Sequence, residues 1–425
     1  MQLFGYHSKD CKIQLILFHN STQEADLEVM MYVNYDIKKQ FEYLISLYIY
    51  TTFAKTLSEE VVMQKARARK NRSKSNSNDN NVRNKGVFGI HHVTAITSDP
   101  QRNIDFYTNN LGLRFVKLTV NQDDPTSYHL YYGDEVGRPG TILTFFHWPD
   151  APRGHRGTSE VIATSFLIPE NSINYWIDRF KRRQIEFRGP YKRFNDSEQV
   201  ITLHDPDGLE SELVAHESAK DRSVNVWKEG TIPPEHAIRG FYSVTLSEEG
   251  YERTASILTV ELGFIPTHQD GSRFRYEIPT TTTAQEEEEE VKGANIVDVL
   301  CLPYTQKAVI GIGSVHHVAW RTPTDEQQKV LRHNIVRAGL NATPVIDRFY
   351  FHSVYFREPG GVLFEIATNP PGFMTDEKAE DLGTRLVLPP WLESMRKDLE
   401  KILPPVRMPR KGNEDVTESL KIEEN

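Results

Sequence analysis

Two stretches near the carboxyl end of the chain, GIGSVHHVAWR (311–321) and REPGGVLFEIAT (357–368), decide its fold. Each contains a short run, 315–321 in the first and 362–368 in the second, that is rich in apolar and β-branched residues. Runs of this length and composition are typical of strands that are buried on both faces. We therefore predict two strands that are each buried on both faces.

Residue types that bind metals stand on these two predicted strands. Side chains alternate along a strand, which predicts that His316 and His317 point to opposite faces. Alternation also places Glu365 among apolar neighbours, where a carboxylate is costly unless a cation or hydrogen bonds compensate it. One imidazole and one carboxylate would supply two metal ligands. The one matching phrase in the chain, GIHHVTAIT (89–97), is the candidate source of a third.

Length and composition limit the class of protein. The chain has 425 residues and a formal net charge of −9, which allows two or three domains and argues against a nucleic-acid partner. Cys11 and Cys301 are the only cysteines, so we expect a reducing compartment and no disulfide framework. No apolar run reaches the ~18 residues of a membrane helix, and the start of the chain lacks a secretory signal. These features predict a soluble, cytoplasmic protein.

One unit, a strand followed by a capped helix and three more strands, recurs four times from residue 87 onward. In the first unit Asp99 is the predicted N-cap, Pro100 the first helical residue and Gly112 the stop. The acidic run at 286–290 is interpreted as a solvated insertion in the third unit. Repetition at this spacing predicts an α+β fold of four βαβββ modules.

The repeats divide the chain into four predicted parts. An amino-terminal extension (1–86) contains a helix at 36–63 and then a disordered linker. Two domains of two modules each follow, over 87–220 and 237–370. The fourth part, residues 371–425, is predicted to form a docking segment and a disordered tail.

The βαβββ unit, with a histidine on its opening strand and a glutamate on its closing strand, resembles the vicinal oxygen chelate (VOC) superfamily. That superfamily includes glyoxalase I, bleomycin-resistance proteins and extradiol dioxygenases. Within it, GIHHVTAI, GSVHHVAWRT and DRFYFHSVYFREPGGVLFEIATNPPGF closely resemble hydroquinone-type ring-cleaving dioxygenases. The similarity runs from about residue 87 to 404 and omits the first 86 residues. It implies that the four modules form two tandem glyoxalase-like domains.

The resemblance also implies one non-haem Fe(II) centre, with Mn(II) as the alternative metal. Its implied ligands are His92, His317 and Glu365. Two histidines and one carboxylate with open positions is, independently, a ligand set that suits Fe(II) oxygenases. Five further residues have implied catalytic roles: His91, Thr94, His316, Arg348 and Tyr355. Four other candidates are explained equally well by turn and strand packing: Asp123, Asp124, His129 and His204.

Three functions compete. The first is an extradiol-type ring-cleaving dioxygenase, which needs an open triad and acts on a hydroquinone-type dihydroxylated aromatic with dioxygen. The second is a glyoxalase I-like lyase or thiol transferase, which typically needs a fourth protein ligand. Aligning the closing strands on their turns sets Phe145 and Glu212 against Glu365, and Phe145 cannot be that ligand. Glu212 has no histidine partner, which favours a structural or solvent-facing role.

The third function is a metal-free protein that binds or sequesters a small molecule. Such a protein needs no triad, so the two His–His phrases and Glu365 count against it. The first function is therefore the one that we predict, as part of aromatic compound catabolism. Its partners would be a small aromatic substrate and dioxygen, without nucleic acid or membrane. Whether the chain forms a homo-oligomer is left open by the sequence.

Overall fold

The computed structural model describes residues 2–8, 11–17, 86–195, 197–279 and 294–409. Several predicted features lie outside these residues: the helix at 36–63, the linker that follows it, the acidic run at 286–290 and the tail beyond residue 409.

The chain divides into two compact units, Met1–Val82 and Arg83–Asn425. In the first unit, strands β1 (Gln2–Ser8) and β2 (Cys11–Leu17) pair antiparallel. The sequence prediction for the extension named a helix and a linker, and it did not anticipate this hairpin.

The second compact unit, Arg83–Asn425, contains the four predicted βαβββ units, which confirms the fold class. These βαβββ units are numbered one to four in chain order. The first comprises β3 (Ile90–Thr97), α1 (Pro100–Asp105), a π-helix (Phe106–Asn110), β4 (Arg114–Val120), β5 (Tyr128–Gly133) and β6 (Ile142–His147). The second comprises β7 (Glu160–Pro169), a 3-10 turn (Glu170–Ser172), α2 (Ile173–Arg182), β8 (Phe187–Arg193), β9 (Glu198–His204), β10 (Glu210–His216) and a 3-10 segment (Glu217–Asn225).

The third unit comprises β11 (Phe241–Glu248), α3 (Glu252–Ser256), a π-helix (Ile257–Glu261), β12 (Ile265–Asp270), β13 (Arg273–Glu277) and β14 (Ile296–Cys301). The fourth comprises β15 (Val315–Thr322), α4 (Asp325–Arg337), β16 (Ile346–Asp347), β17 (Phe351–Arg357) and β18 (Leu363–Pro371). Short helices complete the described chain: 3-10 turns at Phe373–Thr375, Ala379–Asp381 and Pro390–Met395, and α5 (Arg396–Ile402).

The ends of α1 follow the sequence signals. Asp99 Oδ1 accepts hydrogen bonds from the backbone N–H groups of Gln101 and Arg102 at 2.9 and 3.0 Å, and Pro100 is the first helical residue. Gly112 has a φ of +69°, a conformation that favours glycine. A β-carbon there would lie 2.3 Å from Ile232 Cγ1, so the position also needs the absence of a side chain.

The four units build two eight-stranded sheets. The first sheet joins units one and four in the order β16-β17-β18-β15-β3-β6-β5-β4, and the second sheet joins units two and three in the order β12-β13-β14-β11-β7-β10-β9-β8. The predicted ranges 87–220 and 237–370 group unit one with unit two, and unit three with unit four. The sheets instead cross that division, because β3 pairs antiparallel with β15, and β7 with β11.

Strands β3 and β15 each contain a bulge at the first histidine of their His–His pair. The register between the strands skips His91 in β3 and His316 in β15. A bulge interrupts the alternation of side chains. The prediction that His316 and His317 point to opposite faces is therefore wrong, since their Nδ1 atoms lie 2.7 Å apart.

The first sheet has one face that packs against helices and one that we call the inner face. On the helix face, the Phe145 ring lies 4.9 Å from that of Tyr107 and 6.0 Å from that of Tyr132, and all three are buried. Full burial of such a side chain contributes roughly 1.5–3 kcal/mol. Alternation along β6 then directs the neighbouring Thr144 to the inner face.

Candidate metal centre

Three ligand-type side chains converge on the inner face of the first sheet. His92 Nε2 lies 3.1 Å from His317 Nε2, and Glu365 Oε2 lies 3.3 Å from the former and 3.0 Å from the latter. The exposed fractions of the three residues are 2%, 3% and 0%. Within the described ranges, this is the one group of three or more His, Cys, Asp or Glu residues whose ligand atoms lie within 4.8 Å of one another.

The three residues come from adjacent strands, with His92 on β3, His317 on β15 and Glu365 on β18. Ala319 of β15 is the register partner of both His92 and Glu365, so it lies between them on the same face. Its small side chain leaves the space into which the three ligand atoms point.

Hydrogen bonds determine which nitrogen of His92 carries a lone pair. His91 Nε2 lies 3.1 Å from the carbonyl oxygen of Thr368, which can only accept, so this nitrogen is the donor. Burial lowers the pKa of His91 well below its usual value, so the ring is neutral and its Nδ1 is an acceptor. His92 Nδ1 then donates to His91 Nδ1 at 2.9 Å, and the Nε2 lone pair of His92 points toward Glu365.

The other two ligand-type residues are oriented in a similar way. His317 Nδ1 lies 2.7 Å from His316 Nδ1, and burial lowers the pKa of His316 to about 3, so its ring is neutral. In the tautomer that matches the His91–His92 pair, His317 Nδ1 donates and His317 Nε2 carries the lone pair. Ser353 Oγ donates to Glu365 Oε1 at 2.5 Å. Outer partners of this kind fix the orientation of metal ligands.

The electrostatics of the triad suit a cation. Burial alone would raise the pKa of Glu365, but His92 and His317, when they carry a proton, outweigh it and hold the pKa well below its usual value. The carboxylate is therefore stabilised only when positive charge lies beside it. Glu365 Oε2 has no hydrogen-bond donor among the described residues. Three electron-pair donors that face one another in a buried space repel unless a cation lies among them. The residues therefore fit a divalent metal ion, and three protein ligands leave further coordination positions open.

The residues with implied catalytic roles surround this triad. His91 and His316 contact the two ligand-type histidines, as described above. Thr94 is the register partner of His317, and Tyr355 is that of Glu365. The Tyr355 ring lies 5.6 Å from the His317 ring, and burial raises the pKa of its hydroxyl.

Arg348 lies at the edge of the same site. Its guanidinium carbon is 5.4 Å from the centre of the Tyr355 ring. Two of its nitrogens donate to the carboxylate oxygens of Asp123, each at 2.9 Å. Arg348, Tyr355 and His316 are half-buried rather than buried, so the site opens to solvent on their side.

The sequence analysis did not select His129, and the structure places it on the inner face of the first sheet. Its Nε2 lies 2.8 Å from Thr144 Oγ1 and its Nδ1 lies 2.9 Å from Tyr131 Oη. Burial lowers its pKa well below the usual value, and repulsion from His92 and His317, when these are protonated, lowers it further. The sequence offered one signal: His129 stands two residues before Tyr131 in the same strand, so the two side chains share a face.

The remaining candidates have local roles. Asp123 pairs with Arg348, as described above. Asp124 Oδ1 accepts from the backbone and hydroxyl of Thr126, which stabilises the turn between β4 and β5. His204 Nε2 lies 3.3 Å from Glu210 Oε2 in the second sheet, away from the triad.

The place of a fourth ligand differs by one residue from the sequence alignment. Glu365 pairs with Ala319, which is two residues after His317. In the same way, the residue two positions after His92 is Thr94, and its register partner is Thr144, not Phe145. The alignment was shifted because the turn before β6 has one residue fewer than the turn before β18: Glu365 stands six residues after Pro359, and Thr144 five after Pro139. A threonine hydroxyl is not a carboxylate, so the site offers three ligand-type side chains and no second carboxylate.

The second sheet has different residues at the equivalent register positions. Where the first sheet has its two ligand-type histidines, the second has Ala163 and Ser243. Where the first sheet has Glu365 and Thr144, the second has Glu212 and Asp298. The second sheet therefore offers carboxylates without imidazoles.

Arginine side chains neutralise these carboxylates. Arg193 Nη1 donates to both oxygens of Glu212 at 3.0 Å, and Ser165 Oγ donates to Glu212 Oε2 at 2.6 Å. Arg275 donates from Nε and Nη2 to Asp298 at 2.7 and 2.9 Å. Glu212 is buried, so of the two roles predicted for it the structural one applies.

A cavity of about 320 Å³ adjoins His316. Its wall is mostly apolar, and the apolar residues are Ile96, Trp148, Ala151, Val161, Ile310, Val315, Val362 and Leu363. Ligand sites for small molecules have this character and begin at roughly this size.

The helices of the described ranges include none with the length and apolar character needed to cross a membrane.

Comparisons with known proteins agree with this geometry. Residues 89–213 match the model of the Glyoxalase/Bleomycin resistance protein/Dioxygenase superfamily. The "Putative ring-cleaving dioxygenase MhqO" of Bacillus subtilis (strain 168) is 40% identical over 76% of this chain and 97% of its own length. The "Chlorohydroquinone/hydroquinone 1,2-dioxygenase" of Sphingobium indicum is 31% identical over 74% of this chain and 95% of its own length.

A solved structure is similar over the same part of the chain. The crystal structure of a "putative dioxygenase" from Bacillus subtilis superposes with a TM-score of 0.70 at 40% identity. The match covers 76% of this chain and 98% of the other.

Proposed function

The chain belongs to the ring-cleaving dioxygenases of the glyoxalase/bleomycin resistance/dioxygenase superfamily, and from this premise we propose that it is an extradiol-type, Fe(II)-dependent enzyme acting on hydroquinone-type aromatics. His92, His317 and Glu365 would hold the metal, with Mn(II) as the alternative ion. The observation that carries the proposal is the convergence of these three ligand atoms without a fourth carboxylate. Three ligands leave room for a phenol oxygen and dioxygen together.

When bound, the metal would supply Lewis acidity toward a phenol oxygen and bring dioxygen close to the ring. The mostly apolar cavity beside His316 is large enough to receive a dihydroxybenzene, and His316 is the residue that links it to the triad. Substituents on the ring would contact Trp148 and Leu363, which line that cavity.

The surrounding side chains would handle protons and charge. The raised pKa of Tyr355 keeps its hydroxyl protonated, so it can donate a hydrogen bond to a substrate oxygen. Arg348 keeps its cation beside Tyr355 and can stabilise negative charge that develops on the ring or on oxygen. His91 and His316 would act by orienting the two ligand-type histidines, because the Nδ1 of each lies within hydrogen-bond distance of its neighbour's Nδ1. In the overall reaction the ring C–C bond beside a hydroxyl-bearing carbon breaks, and both atoms of dioxygen enter the product.

The competing functions make different demands on the same residues. A glyoxalase I-like lyase would need a carboxylate where Thr144 stands. A metal-free binding protein would not need three buried ligand-type side chains whose electron pairs face one another. We place the protein in the cytoplasm, as the sequence predicts.

The test is to follow dioxygen consumption by the Fe(II)-loaded protein with hydroquinones, catechols and methylglyoxal hemithioacetal in parallel. We expect uptake with hydroquinones, a ring-opened product, and no uptake by His317→Ala, because that variant lacks one ligand. Isomerisation of the hemithioacetal without dioxygen uptake would refute the proposal. A preference for catechols would move the protein to a different substrate class.

A further inference from the structure

Four side chains on the inner face of the first sheet form a continuous string of hydrogen bonds. Tyr131 Oη lies 2.9 Å from His129 Nδ1, and His129 Nε2 lies 2.8 Å from Thr144 Oγ1. Thr144 Oγ1 in turn donates to Thr94 Oγ1 at 3.0 Å. The string crosses three adjacent strands, β5, β6 and β3, and ends beside the candidate metal centre.

The protons in this string run in one direction. Thr144 has a single hydroxyl proton, which it gives to Thr94, so it must accept from His129 Nε2–H. Burial lowers the pKa of His129, so its ring is neutral and its Nδ1 accepts the proton of Tyr131. Burial also raises the pKa of Tyr131, which keeps that proton in place. Each bond therefore points toward Thr94.

Thr94 ends the string with a proton of its own to donate. Its oxygen accepts from Thr144, and none of the hydrogen bonds among the described residues uses its proton. Thr94 lies two residues after His92 on the same strand and is the register partner of His317. Its side chain is buried on the inner face that carries both histidines.

We propose that His129 is a positioning residue, which acts with Tyr131 and Thr144 to hold the Thr94 hydroxyl as a hydrogen-bond donor toward the phenolic oxygen of the substrate. The proposal rests on the function proposed above and deepens it. A chain of hydrogen bonds that point the same way polarises its last donor. The string also occupies the place that a fourth ligand would need, because Thr144 is the register equivalent of Glu365.

Packing alone is the competing explanation. The Tyr131 ring lies 5.0 Å from that of Phe373 and 6.3 Å from that of Tyr350, so its bulk stabilises the fold whatever its hydroxyl does. Tyr131→Phe keeps this ring and removes only the proton donated to His129. Thr144→Val removes the acceptor on the other side of His129 at nearly constant volume.

The matched control is Tyr132→Phe. Tyr132 neighbours Tyr131 on β5 but points to the helix face, where its hydroxyl donates to Asn103 Oδ1 at 2.8 Å. Tyr132→Phe therefore also removes one hydroxyl from a buried tyrosine in the same strand. It leaves the string intact.

The experiment measures two quantities for each Fe(II)-loaded variant: the Kd of 4-nitrophenol without oxygen, from its absorbance change, and kcat and KM for hydroquinone in air. Metal content is measured alongside and should not change. We expect Thr94→Val to weaken 4-nitrophenol binding by about 10-fold, and Tyr131→Phe and Thr144→Val by about 3-fold each. Tyr132→Phe should bind like the wild type.

A double-mutant cycle separates the string from independent effects. If Thr144 acts through Thr94, the variant carrying both valines should bind 4-nitrophenol no more weakly than Thr94→Val alone. His129→Gln, whose amide can still donate to Thr144, should recover part of the affinity lost in His129→Leu. Additive losses in the cycle, or unchanged binding by Tyr131→Phe, would overturn the proposal.

The two readouts distinguish this inference from the proposed function. Wild-type protein could bind 4-nitrophenol, show a non-additive double-mutant cycle and yet not oxygenate hydroquinone. That result would refute the proposed function and support the role of the string. If hydroquinone is oxygenated and the cycle is additive, only the string fails. Absence of 4-nitrophenol binding by the wild type would overturn the string directly.

Discussion

Glu365 and Glu212 are both the third residue of a closing strand, and changing each to glutamine should give opposite results. Glu365 Oε2 faces the unprotonated nitrogens of two histidines, whereas both oxygens of Glu212 accept from Arg193. The first carboxylate is compensated by a metal ion in our account, and the second by a guanidinium group.

The loss in Glu212→Gln can be worked out from its contacts. Removing one partner of a buried ion pair costs about 3–5 kcal/mol. Glutamine retains one oxygen for Arg193, and Arg193 Nε keeps its contact with Glu198 at 3.2 Å. We therefore expect the free energy of unfolding to fall by about 3 kcal/mol, at the lower end of that range. Metal content should stay at the wild-type level.

Glu365→Gln should behave in the reverse way. In metal-free protein the new amide can donate to a facing imidazole nitrogen, so the free energy of unfolding should stay within about 1 kcal/mol of the wild type. With metal present, the wild type gains about 2.7 kcal/mol at a free metal concentration of 100 times its Kd. The variant, which lacks a ligand, should gain almost none of this.

The assay is urea unfolding followed by circular dichroism, with a chelator and then with Mn(II) as an ion that resists oxidation. Glu249→Gln, at an exposed position between β11 and α3, is the control for loss of one carboxylate. The reasoning is refuted if Glu365→Gln binds metal as the wild type does, or if Glu212→Gln loses it.

Three further results are expected. Tyr355→Phe and Arg348→Ala should retain metal but lower kcat roughly 100-fold, because they act on charge and protons, and a wild-type kcat would contradict those roles. Deletion of residues 1–84 should leave kcat and the melting temperature nearly unchanged, because no repeat unit is lost, and an insoluble product would contradict this boundary. Burial and Glu358 raise the pKa of Glu248 to about 9, so the folded state holds this proton more tightly than the unfolded chain. Its stabilisation is present at low pH and declines by up to about 1.4 kcal/mol per pH unit toward pH 9, and urea unfolding of Glu248→Gln should show a smaller decline than the wild type.

Local signals in the sequence were sufficient to predict the repeat. Asp99, Pro100 and Gly112 mark the start of a helix and its stop through interactions within a few residues, and the structure has them in those roles. The choice of sheet partners depends on contacts between distant units. The sequence patterns of β3 and β15 do not indicate that these strands pair with each other. The predicted domain ranges therefore grouped neighbouring units in chain order.

The bulges limited how far the site could be predicted. His91 and His316 each interrupt the alternation of their strand, and a period of two cannot reveal such a step. A shorter turn before β6 is a separate cause, because it exchanged Phe145 for Thr144 at the place of a fourth ligand. That exchange also hid His129, whose relevance depends on Thr144 facing the inner side of the sheet.

Incorporation of isotopic oxygen tests the central claim most directly. The Fe(II)-loaded protein would convert hydroquinone under ¹⁸O₂, with the product reduced at once so that an aldehyde cannot exchange its oxygen with water. The account predicts a ring-opened product that carries two labelled oxygen atoms, and no such product from His317→Ala. A product with one labelled atom or none, or equal turnover by His317→Ala, would contradict it.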